Sequence, residues 1–130
     1  MLISTFALFL TITYMSKQTV IQKEDSIQIK IEVLLFEEHE TFVAYCPALE
    51  LSSYGVDQKD AKKAFEGALD IFVKETTKRG TLEKLLLKLG WSLEQKPKLN
   101  YRPPVFNLKD QQSLLLKNPS IYQESMAMPV

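Results

Sequence analysis

The chain has 130 residues, 45% hydrophobic and 25% charged, which are the values of one globular domain and not of a disordered segment. Sixteen basic residues balance sixteen acidic ones, so no global field draws the protein toward nucleic acid. One cysteine excludes an internal disulfide framework, and with one histidine it leaves too few ligands for an ordinary zinc site; this usage fits a reducing cytoplasm.

The first fifteen residues, MLISTFALFLTITYM, are almost wholly apolar and hold no Lys or Arg. They lack the positive n-region and small-residue cleavage site of a signal peptide. They are also shorter than the roughly 20 apolar residues of a spanning helix. Met15-Ser16-Lys17-Gln18 reads as an ordinary soluble start, so translation is expected to begin at Met15, with residues 1–14 outside the native chain. A weak membrane anchor is the alternative.

From residue 27 the pattern becomes regular. In IQIKIEVLLF, Ile27, Ile29, Ile31, Val33 and Leu35 share one face while Gln28, Lys30 and Glu32 take the other, the period of a half-buried strand. Glu37 to Glu40 form a short polar loop, and Thr41 to Cys46 a second strand, so the two make an antiparallel hairpin. Pro47 has no N–H and should end that strand or sit at a bulge; Leu49 to Tyr54 supply a short third one before Gly55. Residues 57–79 then place Ala61, Ala64, Phe65, Ala68, Leu69, Phe72 and Thr76 at helical spacing. Asp57 is the expected N-cap, with Asp60 in the first turn, and Gly80 the left-handed residue after the end. A second short helix follows in TLEKLLLKL, then Gly90 and a short strand at Trp91 to Leu93.

After Gln95 the character changes. Pro97, Pro103 and Pro104 exclude regular helix, and residues 96–118 carry five basic residues against one acid, a net of +4. LKDQQSLLLK allows a short helix, and Ile121 to Met128 a late strand. The expected fold is α+β: an antiparallel three- to four-stranded sheet in the order β-β-β-α-α-β, covered by one long helix, with an irregular C-terminal arm and a terminal strand. The expected divisions are an extension at 1–26, a compact domain at 27–95 and the arm at 96–130. The expected core holds Ile29, Ile31, Val33, Phe42, Ala44, Cys46, Phe65, Ala68, Leu69, Phe72 and Trp91.

Chemistry finds little support in the residues. A nucleophilic cysteine needs a base or positive field beside it. His39 lies in the hairpin loop at the far end of the strand that ends in Cys46, about 20 Å away if extended. Cys46 reads as a small buried hydrophobe, His39 as a solvated loop residue, and Glu37, Glu38 and Glu40 as a solvated turn. The four glycines are scattered, so no phosphate loop exists. No catalytic residue, cofactor or metal is expected. The arm interleaves Tyr101 and Phe106 with Lys98 and Arg102, residue types that stack on bases and pair with phosphates. The late strand is a second contact candidate, since an edge strand pairs with other chains. The candidate partner-binding residues are therefore Tyr101, Arg102, Ile121, Tyr122, Met126 and Met128.

The stretches FVAYCPALELSSYG (42–55), VDQKDAKKAFEGALDIFVKE (56–75) and RGTLEKLLLKLGW (79–91) resemble the HicB-like antitoxin family, over about residues 27–95. The resemblance implies a partial ribonuclease-H-like sheet with one long helix, a domain that is not a nuclease. It also implies a role as antitoxin of a bacterial type II toxin–antitoxin pair, with a HicA-like RNA-cleaving toxin as partner. Many members of the family add a helix-turn-helix or ribbon-helix-helix domain for DNA. The proline-broken region after Gln95 shows neither pattern, so DNA binding is not expected. A cytoplasmic homodimer or higher oligomer is expected from the open sheet edges. Two alternatives stay open: an orphan interaction module without a toxin, and a nucleic-acid-binding regulator acting through residues 96–118.

Overall fold

A computed structural model describes residues 26–94 and 100–129 of the protein. The expectations for residues 1–25, including the start at Met15, lie outside the described residues, as do Lys96, Pro97 and Lys98 of the arm. The architecture is α+β, with a four-stranded antiparallel sheet and a long helix on one face.

Strand β1 (Ser26–Glu38) and β2 (Thr41–Cys46) form the expected hairpin, in register from Glu38↔Thr41 to Leu34↔Tyr45. The two loop residues His39 and Glu40 both have positive φ, 52° and 63°, the geometry of a two-residue primed turn. Strand β3 (Leu51–Gly55) pairs with β2 from Phe42↔Gly55 to Cys46↔Leu51. It starts two residues later than the pattern suggested, because Pro47 to Glu50 close a tight turn. There the Leu49 N–H donates to the Cys46 carbonyl and the Glu50 N–H to that of Pro47. Ala48 and Leu49 are buried in this turn. The Ala48 carbonyl accepts the indole N–H of Trp91 at 2.8 Å, across 43 residues of sequence. Trp91 thus satisfies a buried carbonyl and fixes the corner between β2 and β3.

Helix α1 (Gln58–Arg79) begins as expected. The Asp57 carboxylate accepts the Asp60 N–H at 2.7 Å, and the Asp60 carboxylate accepts the Val56 N–H at 3.0 Å, a reciprocal cap. A β-carbon on Gly55 would lie 2.3 Å from the backbone nitrogen of Ala61, so only glycine lets the first turn of α1 rest on the end of β3. The helix ends at Gly80, φ 70°. The Gly80 N–H donates to the Thr77 carbonyl and the Thr81 N–H to that of Thr76. Helix α2 (Leu82–Lys88) buries Leu82 and Leu86.

Beyond α2 the order departs from expectation. Strand β4 (Ser92–Glu94) does not join the main sheet. Among the described residues it pairs only with β5 (Asn100–Arg102), in a two-stranded ribbon held at its rim by Arg102 and Glu94, 2.6 Å apart. The fourth strand of the main sheet is β6 (Ser120–Pro129), which pairs with β1 over ten residues, from Ser26↔Pro129 to Leu35↔Ser120. Residues on both sides of position 95 therefore share one sheet, ordered β3-β2-β1-β6. Between β5 and β6 the chain forms a 3-10 turn at Leu108–Asp110 and a one-turn helix, α3 (Gln112–Leu115), where the sequence allowed a short helix.

The sheet is covered on both faces. Ile29, Ile31, Val33, Leu35, Ala44, Cys46, Met126 and Met128 pack with Ala61, Phe65 and Leu69 of α1, and Leu86, Trp91 and Tyr101 extend this core. Phe42 and Phe72 pack at its margin, and Ala68 is half-buried. On the other face a smaller core of Leu34, Phe36 and Val43 is covered by Phe106, Leu108 and Leu114. This explains why the alternation in β1 gives way to an unbroken run, LLF: the strand is buried on one side at its start and on both sides at its end.

Candidate functional site

Strand β2 carries Cys46 to the middle of the main core, with no exposed surface. Burial pushes its thiol pKa up, and the backbone N–H groups of Leu49 and Ala48 pull the other way without reversing the shift. A thiol held in its neutral form is a poor nucleophile. His39 lies beyond the other end of β2, in the β1–β2 turn, because Cys46 pairs with Leu51 at the opposite end of the ladder. Of the acids at the hairpin, Glu38 pairs with Lys117 at 3.0 Å. No group of three or more His, Cys, Asp or Glu among the described residues is placed to hold a metal ion. No helix among them is long and apolar enough to cross a membrane.

The six candidate contact residues separate into two sets. Tyr101 is buried, its ring in the main core and its hydroxyl donating to the Pro129 carbonyl at 3.3 Å. Met126 and Met128 are also fully buried, on the β6 face that meets α1. These three residues build the fold and offer no surface. The period of two in β6 decides this, since its even-numbered residues point toward α1. Tyr122 points the same way at the margin of the core. Lys62 sits over its ring, 4.8 Å from the centroid, and its Oη has no hydrogen-bond partner among the described residues. Burial first, then the charge of Glu124, pushes the Tyr122 pKa up to about 12. Ile121, on the other face, is half-exposed, and Arg102 is exposed in its pair with Glu94.

The arm is likewise occupied with packing. Phe106 covers the second core, and Lys117 reaches both Glu38 and the ring of Phe36, 5.6 Å from its centroid. Of the two aromatic residues interleaved with the basic ones, Tyr101 is buried and Phe106 is partly buried against the second core.

The sequence patterns did not reveal a groove of about 420 Å³ between α1 and β6. Glu66, Gly67, Asp70 and Val73 of α1 form one wall; Glu124 to Ala127 of β6 and Gln28 of β1 complete it. Burial, then the nearby charge of Glu66, pushes the Glu124 carboxyl above its usual pKa. Asp70 is paired with Lys74 at 2.9 Å, an exposed pair one helical turn apart. The groove opens beside β6, which has β1 on one side and no strand among the described residues on the other. A signal for it existed in the sequence: Gly67 interrupts a helix that has no packing reason for a glycine there. Comparison with models of known families, with curated proteins and with solved structures gave no match to this chain.

Proposed function

We propose that this chain is a cytoplasmic antitoxin of a bacterial type II toxin–antitoxin pair, with a HicB-like, partial ribonuclease-H-like fold, acting on a HicA-like RNA-cleaving toxin. It acts sterically, binding the toxin and covering its active surface. The observation that carries this reading is where the family-like stretch Phe42 to Gly55 falls. It makes β2, the Pro47 turn held by Trp91, β3, and the glycine on which the acid-capped helix rests. That is the order the resemblance implies, and each of its distinctive residues has a structural task in it. The burial of Cys46 supports binding over covalent chemistry. Stoichiometric inhibition of this kind needs an interface of at least about 1,000 Å².

Co-expression with the small open reading frame next to this gene tests the reading. The neighbour expressed alone should arrest growth, and this chain should restore it. A neighbour that is harmless alone, or that stays toxic beside this chain, rules out the antitoxin role and leaves an interaction module without a toxin.

A further inference from the structure

Three features along one side of the molecule are left open by the packing described above. The first is Gly67, in the middle of the 22-residue α1. Glycine there weakens a helix relative to alanine. Packing does not require it, because a β-carbon at this position would meet nothing within 4 Å. Its missing side chain keeps the groove beside β6 open. The second is β6 itself: ten residues long, with proline only at its last position and no lysine or arginine. Such an edge offers a row of backbone N–H and C=O groups, and its one charge is the carboxylate of Glu124 on the groove side. The third is charge. Glu66, Asp70 and Glu124 face the groove, and among the described residues only Asp70 has a cation paired with it.

We propose that the outer edge of β6 is a docking strand for an extended, lysine- or arginine-rich segment of a partner protein. The segment adds to the four-stranded sheet as a further strand and lays its cations in the groove against Glu66, Asp70 and Glu124. Side chains of an added strand alternate between the faces, so every second residue meets the groove. The residues between them meet the other face, where β6 presents half-exposed Ile121 and the small side chains of Ser125 and Ala127.

The charge pattern argues against two other occupants. A second copy paired through β6 brings Glu124 as the only charged residue of its strand and sets one acidic groove beside another. The chain's own residues 1–15 hold no cation, and residues 16–25 carry two lysines balanced by Glu24 and Asp25. A cationic segment from another protein is the complementary partner. This deepens the protein-binding reading given above, and rests on it only for the partner's identity.

The test uses the full chain and two short capped peptides, one alternating lysine and valine, the other glutamate and valine. The lysine peptide should bind, more weakly as salt rises, and should slow amide exchange in β6 but not in β3. Replacing Gly67 with leucine should fill the groove and weaken binding about tenfold while the helix stays intact. Reversing both exposed acids, Glu66→Lys with Asp70→Lys, should shift the preference to the glutamate peptide. The proposal is overturned if neither peptide binds, if protection appears on β3, or if the Gly67→Leu chain binds as well as the original. It is also overturned if the outward-facing β6 amides, those not bonded to β1, are already protected in the free chain, by a second copy in a dimer or by residues 1–25 in a monomer. These outcomes concern the surface alone; failure of growth rescue concerns the antitoxin role alone.

Discussion

The sheet has two edges, and they are built in opposite ways. β3 is five residues long, enters from a turn held by Trp91, and ends at Gly55 beneath the first turn of α1. β6 is twice as long and runs beside a groove that α1 leaves open. An edge strand invites pairing, and short length and a covering element are the usual protections. β3 has both. The contrast places the reactive backbone of this domain on one side, where the charge of the neighbouring helix selects what can approach.

The comparison breaks most sharply at Gly55. Gly55→Val would drive its side chain into the backbone of Asp60 and Ala61 and lift the start of α1 off β3. The expected loss is about 3 kcal/mol, read as a lowered denaturation midpoint. A smaller loss follows at Trp91. Trp91→Phe keeps an aromatic ring but leaves the buried Ala48 carbonyl without its donor, at a cost of about 2 kcal/mol in the same experiment. Amide exchange should quicken in β3 and its entry turn before it does in β6. Equal effects on the two edges would remove the asymmetry.

How much of this was legible in the sequence depended on the range of the interactions. Local rules located the hairpin, the Asp57 cap, the Gly80 stop and the terminal strand, because each rests on residues a few positions apart. They did not reveal which strands pair. A three-residue strand such as Ser92–Glu94 is compatible with either sheet, and its partner lies across a proline-containing connection. The second covered face was visible only as the unbroken LLF run in β1, which a single-face reading passes over. The same limit misplaced the candidate contacts: Tyr101, Met126 and Met128 carry residue types common at interfaces, and equally common in cores. The groove involves α1 and β6, about 55 residues apart in sequence, so only Gly67 hinted at it.

Cys46 supplies a control between the edges. It sits on β2, away from the groove, and Cys46→Ala removes one buried sulfur. Stability should fall by about 1 kcal/mol, while binding of any partner at β6 stays unchanged. A loss of binding with the fold intact would return the cysteine to the candidate site.

The smallest effect tests the open edge directly. Burial, and then Glu66, raises the Glu124 pKa in the folded chain above its unfolded value. The folded state therefore holds its proton more tightly, and the ionised carboxylate disfavours folding. That penalty is fully present above the folded pKa and fades as the pH falls toward the unfolded value, so over this window lowering the pH should stabilise the chain. Glu124→Gln should flatten that part of the profile and leave the free protein slightly more stable at neutral pH. A cation laid in the groove should reverse the sign. It lowers the Glu124 pKa, removes the repulsion from Glu66, and makes the carboxylate an asset to the complex. Glu124→Gln is thus expected to stabilise the free chain and weaken the complex, a combination that a residue serving only the fold would not produce.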